Sequence, residues 1–283
     1  MGKGVTVFKD IGKACKDLLG KDYDVGKTTV EVKSKTSSGV TFTPKATKSG
    51  DSVSGSLKAA YGLLPGLDCE ATFGTKGTID LSLEASELAK GLVLTAECAT
   101  ASGGKGLLSS ANLIADYKTD AFTSKCSYDY YKADLNANVS TVYSALTCGL
   151  DCAYSAAKGT LSKYSAVCSL VQPEYIFTAR CDDKGGKKTL GCSYYHKVSG
   201  DMQLGVSLAK PLAKSDVAIE FGCAYKLDKD TTVKAKVDSE GILCTSYKLK
   251  VNPMTSMTLA ACVDTVNLSD NKHKFGLQLN VTP

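Results

Sequence analysis

The sequence predicts an all-β protein, a transmembrane β-barrel of about nineteen strands with an N-terminal α-helix inside it. Three observations predict it. From Val25 to the end of the chain, hydrophobic residues recur with a period of two. Short turn signals punctuate that alternation at hairpin spacing. A single clearly helical stretch, at the start, precedes all of it.

That stretch is Val5 to Gly20, VTVFKDIGKACKDLLG. Phe8, Ile11, Cys15 and Leu18 recur at steps of three and four, so they share one face of a helix. Lys9, Lys13, Lys16 and Asp17 fall elsewhere and make a wet, mostly basic face. Gly20 is the expected C-cap, and Asp22 to Gly26 reads as a loop. Residues 1–24 are therefore expected as a helix and linker in the lumen, and 25–283 as the barrel.

The strands follow. Thr28, Val30 and Val32 alternate with Thr29, Glu31 and Lys33; Ile79, Leu81, Leu83 and Ala85 alternate with Asp80, Ser82 and Glu84. The same pattern holds for Val217 to Tyr225 and for Phe275 to Val281. One face is apolar and the other polar. Turn signals separate the segments, among them Ser37-Ser38-Gly39, Pro65-Gly66, Gly103-Gly104, Lys184-Gly185-Gly186 and Asn252-Pro253. Most prolines fall at such junctions; Pro44 does not, and predicts a strand that ends early or bulges. Counting gives about nineteen segments of roughly 8–12 residues, centred from Val30 to Leu279, enough to cross a bilayer at a tilt.

A soluble sandwich and a membrane barrel both use amphipathic hairpins. The connections here are short and consecutive, and the polar face continues to the end of the chain, which favours a barrel whose polar face lines a lumen. Barrels of 16–18 strands enclose an aqueous channel, so this one has room for metabolites and for a helix against the wall.

Composition narrows the function. Net charge is +5, and nearly all of the positive charge is lysine, since Arg180 is the only arginine. That excess is too diffuse to indicate nucleic acid but suits small anions if the lysines share a space. No apolar run approaches ~18 residues, so no transmembrane helix is expected; nor is a signal peptide or a cleaved presequence. The 12 cysteines lack metal or disulfide spacing, and only two histidines exist. Cys69, Cys98, Cys126, Cys148, Cys152, Cys181, Cys192 and Cys223 fall in step with the apolar residues, as small hydrophobes do. No disulfide, metal or cofactor is expected. Enzyme motifs are absent: Gly103-Gly104-Lys105-Gly106 and Asp182-Asp183 read as turns, and Lys184, Lys187 and Lys188 as a solvated basic turn.

Several stretches together resemble the mitochondrial voltage-dependent anion channels, the porins of the outer mitochondrial membrane, plant-type members above all. They are Ile11 to Leu19 (IGKACKDLL) with Asp22-Tyr23, Gly55-Ser56-Leu57, Leu88 to Leu92 (LAKGL), Ser193-Tyr194-Tyr195, Leu227 to Val237 (LDKDTTVKAKV) and Lys274 to Val281 (KFGLQLNV). The resemblance implies nineteen strands with first and last parallel, the helix inside, and diffusion of ATP, ADP, phosphate and organic anions with voltage-dependent closure. It implies nucleotide contacts at Lys13 and Lys21, and at Ile242, Leu243, Cys244, Ala260, Ala261, Cys262, Val263 and Asp264. It implies a sorting signal at Lys274, Gly276, Leu279 and Val281. Expected partners are the lipid bilayer, small anions in transit, further copies of the chain and other outer-membrane proteins. Two departures limit the carry-over: Gly91-Leu92 is followed by Val93 where the family has lysine, and the membrane-facing glutamate of some animal members aligns with Ala71, leaving Glu70 on the polar face. A protein-import pore would need acidic luminal patches, which are not expected here; a surface scaffold is the other alternative.

Overall fold

The computed structural model describes residues 5–100, 108–269 and 273–283. One antiparallel sheet runs through the chain, each strand pairing with its sequence neighbours from Thr41–Ser49 to Lys274–Val281. The first strand, Thr28–Val32, pairs in parallel with the last, Thr28 opposite Leu277 and Val32 opposite Val281, and this closes a barrel of nineteen strands. Closure leaves no edge, so the backbone donors and acceptors are satisfied between strands where the bilayer offers no water. The Gly103-Gly104-Lys105-Gly106 turn lies outside the described residues.

Alternation sends each strand's apolar residues outward. Leu81, Leu113, Leu150, Phe221 and Leu259 are all exposed, Leu113 at 66%. A soluble monomer does not expose an apolar surface of this extent; a lipid-facing wall must. Tyr61, Tyr117, Tyr143 and Tyr225 are also exposed, close to strand ends, as in the aromatic girdles of membrane barrels. The larger buried apolar side chains of the described residues belong instead to the N-terminal segment, Val5, Phe8, Ile11, Cys15, Leu18 and Leu19, with Val167 beneath Phe8 and Ile11; the rest are small wall residues, Ala153, Ala224, Cys244 and Ala260.

Three local expectations are corrected. Pro44 neither ends nor bulges its strand. Thr41–Ser49 runs through it, with Pro44 opposite Leu57 in an unshifted register. The interruption falls on the first strand, which pairs at Glu31 with Lys45 and resumes as Ser34–Lys35 opposite Phe42 and Thr41. A proline has no N–H to give, and the ladder lapses at its neighbour. Asp182 and Asp183 lie within the strand Tyr175–Lys184, and the turn is at Gly185-Gly186. The cysteines do form a disulfide, Cys244 with Cys262. These residues are 18 apart in sequence but directly opposite in register, a proximity that spacing alone does not reveal. The eight cysteines in step with apolar residues are free thiols.

The outward assignment has a direct consequence. Leu113→Lys, on the lipid face at mid-strand, is expected to destabilise the barrel by ~2–4 kcal/mol. Ile114→Lys, one residue on and facing the lumen, is expected to cost far less. Urea unfolding in lipid vesicles distinguishes them, and equal losses contradict the assignment.

Candidate functional site

The site is the N-terminal segment and the inner wall it rests on. The helix is not continuous from Val5 to Gly20. A 3₁₀ turn, Phe8–Asp10, is followed by an α-helix, Lys13–Gly20, and Gly12 between them has φ 74°. A side chain at Gly12 would lie 3.1 Å from Thr178 Cγ2 and Oγ1, so the break falls where the segment's backbone comes close to the wall. Gly20 is the last helical residue rather than the cap; the left-handed turn is taken by Asp22, φ 72°.

The apolar face inferred from sequence is the face that packs, and it packs on luminal glycines. A Cβ on Gly149 would lie 2.7 Å from Phe8 Cδ2 and 2.9 Å from Ile11 Cδ1. One on Gly205 would lie 2.6 Å from Leu18 Cδ2, and one on Gly222 the same distance from Leu19 Cδ2. Each large helix residue thus occupies a place where the wall has no side chain. Polar contacts fix the register: Ser140 Oγ donates to the Thr6 carbonyl at 2.6 Å, Cys15 Sγ to the Val206 carbonyl at 3.4 Å, and the Arg180 guanidinium lies 5.5 Å from the Phe8 ring centre. A cleft of about 400 Å³ remains between helix and wall, with Lys16, Arg180, Asp182, Glu220 and Lys236 among its lining.

After the helix the linker is pinned. Asp22 is only 17% exposed and accepts from Lys234 Nζ and, at 3.4 Å, from Lys248 Nζ. Burial pushes its carboxyl up, but the hydrogen bonds and charges of the two lysines outweigh that and hold it below the ordinary aspartate value. Tyr23 is half-buried, its phenol pushed up by burial, and Lys236 sits 5.3 Å from its ring centre.

Elsewhere the inner wall is charged, in two arcs. Lys234, Lys236, Lys248, Lys250, Lys274, Lys33, Lys35, Lys45 and Lys58 face inward on neighbouring strands around the seam. Next to them Asp68, Glu70, Asp80, Glu84 and Glu97 form an acidic arc on Leu67–Gly74, Ile79–Ala89 and Leu92–Thr100, with Asp68 directly opposite Glu84. The acidic patch that the sequence was not expected to hold is therefore present: carboxylates on alternate positions of adjacent strands merge only once register is known. Ion pairs mute part of this charge, Lys58 with Glu70 at 2.7 Å and Lys236 with Glu220 at 3.4 Å.

The nucleotide-contact residues implied by resemblance divide. Lys13 and Lys21 lie on the wet side of the helix, paired with Asp10 at 2.9 Å and Asp17 at 2.8 Å. Ile242, Cys244, Ala260, Cys262 and Asp264 share the luminal face of two paired strands, but Leu243, Ala261 and Val263 point to lipid. Cys244 and Cys262 are tied in the disulfide, and Asp264 accepts from the amides of Val266 and Asn267 in the next turn. Of the other implied set, Lys274 and Gly276 face inward, and Leu279 and Val281 outward. Sequence reasoning missed Asp22, its two lysines and the glycine seats. The glycines carried a signal, since Gly149, Gly205 and Gly222 fall in step with the polar face of their strands.

Comparison with known proteins agrees with this geometry. Residues 5–276 match the family described as eukaryotic porin. The mitochondrial outer membrane protein porin of Candida albicans is 27% identical over 281 residues, 97% of this chain and 98% of that one. The non-selective voltage-gated ion channel VDAC2 of Xenopus laevis is 29% identical over the same shares. Among solved structures, a mutant of the Rh. blastica porin superposes with a TM-score of 0.51 at 10% identity, covering 79% of this chain and 88% of that one, which speaks for the fold alone. On a match that spans nearly the whole barrel and its luminal helix, the chain belongs to the eukaryotic porin family.

Proposed function

We propose that the protein is a voltage-dependent channel of the mitochondrial outer membrane, weakly selective for anions, through which ATP, ADP, phosphate and other small metabolites diffuse. One observation carries the anion preference: lysines outnumber carboxylates along the seam side of the lumen. Among the described residues Lys33, Lys35, Lys250 and Lys274 have no ion-pair partner, and Lys9 and Lys16 add charge on the wet helix face. Such a surface raises the local concentration of anions without holding them. The acidic arc beside it keeps the preference weak, which accords with the word non-selective in the names of several relatives. Nucleotide contact at Lys13 and Lys21 is then electrostatic and brief, because both lysines already face an aspartate and stand 48% and 61% exposed. Catalysis forms no part of this reading.

In a planar bilayer with a KCl gradient, the reversal potential is expected to show a modest anion preference, and conductance to fall at high voltage of either sign. Strong cation preference overturns the selectivity reading. Lys13→Glu combined with Lys16→Glu removes two positive charges and adds two negative ones in the pore, and is expected to shift the reversal potential towards cations. An unchanged potential in that variant contradicts a helix that borders the ion path.

A further inference from the structure

We infer that Gly276, within the terminal strand's motif, is a positioning residue for the pore helix: it is the seat on which the helix linker crosses the wall. Gly276 faces the lumen opposite Ala260. A Cβ there would lie 2.9 Å from both the Asp24 carbonyl carbon and Val25 Cα, and closer still to the Asp24 oxygen. The obstacle is backbone, which cannot swing aside as a side-chain end does. The linker also bonds to the strand on either side of this point. Gly26 N–H donates to the Phe275 carbonyl at 2.8 Å, and Leu277 N–H to the Lys27 carbonyl at 3.2 Å.

A row of small luminal residues leads to this seat. Ser246 pairs with Ala260 and Ala260 with Gly276. Ser246 is 2% and Ala260 6% exposed, far below the lysines of the open wall. Asp22, held by Lys234 and Lys248, anchors the linker at the other end of the crossing. The segment between the two anchors turns through left-handed residues at both ends, Asp22 and Gly26. The last strand therefore does two things along adjoining residues: Leu277 to Val281 close the barrel against Thr28–Val32, and Gly276, just before them, receives the linker that holds the helix. The linker's crossing is complete only with the last strand in place, whereas the helix itself rests on Gly149, Gly205 and Gly222 of earlier strands.

The test uses the full chain refolded from denaturant into detergent, where no sorting machinery acts. Trypsin is too large to enter the lumen, so cleavage after Lys9, Lys13 or Lys16 reports a helix that has left the wall. Gly276→Ala is expected to keep the barrel's circular dichroism and to be cut at these sites about tenfold faster than the unaltered chain. A folded G276A barrel cut at the unaltered rate overturns the inference. Asp22→Asn leaves the last strand untouched and covers the case in which G276A does not refold: faster cleavage supports the two-anchor linker, and an unchanged rate overturns it. Cleavage is measured without voltage or current, so a failure of the channel reading in bilayers is seen separately.

Discussion

Hydrocarbon offers no partner to a peptide group, and the whole architecture answers that constraint. Each N–H and C=O within the membrane must be met by another strand, so the sheet has to close on itself. An odd number of strands in strict up-and-down order brings the first and last together in parallel, which is how Thr28–Val32 meets Lys274–Val281. Once the sheet is closed, side-chain alternation has a fixed meaning. The side that carries leucine, phenylalanine and most of the cysteines faces acyl chains, and the side that carries lysine, glutamate, serine and threonine encloses water. Burial of large apolar side chains from water is, among the described residues, concentrated in the contact between the N-terminal segment and the wall.

That contact is shaped by what the wall omits. A wall of ordinary luminal side chains would hold the helix away from the barrel, exposing Phe8, Ile11, Leu18 and Leu19 to the pore water. Glycine at 149, 205 and 222 lowers the wall under these residues, and Thr178 meets the break at Gly12. The helix thus narrows the lumen on one side and presents lysine to the other. Its linker leaves through a crossing held by charge at Asp22 and by close backbone approach at Gly276. Ion passage and helix position are coupled by geometry, since the groups that bind the linker, Lys234 and Lys248, belong to the same basic arc that solutes meet.

Much of this was legible in the sequence, and the reasons are physical. The period of two recurs along the chain because each strand has the same two environments, lipid and lumen; it was least distinct between Asp134 and Val171, where the strands are Asp134–Tyr143, Leu146–Ser155 and Thr160–Val171. Cys15 and Leu18 were identifiable as a packing face because spacing on a helix is set by its pitch, and Phe8 and Ile11 face the wall with them although the helix breaks at Gly12. Features set by register were not legible. The Cys244–Cys262 bridge, the meeting of Asp68 with Glu84 and the convergence of Asp22 with two lysines all depend on how far one strand has slid past another. The break at Gly12 and the lapse beside Pro44 are tertiary as well. In each, one residue's backbone answers to a neighbour on another element, and the local pattern stays unbroken.

The whole arrangement requires that the cysteine-bearing, apolar side of the strands be covered by lipid while the opposite side is wet. Cys126, Cys192 and Cys223 are free thiols in the interior of their strands on that apolar side, so the native chain carries its own reporters. The chain is reconstituted in vesicles, exposed to a membrane-impermeant maleimide, and mapped by mass spectrometry against a denatured control. These three cysteines are expected to stay unmodified in the vesicles and to react fully once the chain is unfolded. Modification of all three in intact vesicles, at the rate of a thiol in water, would contradict it.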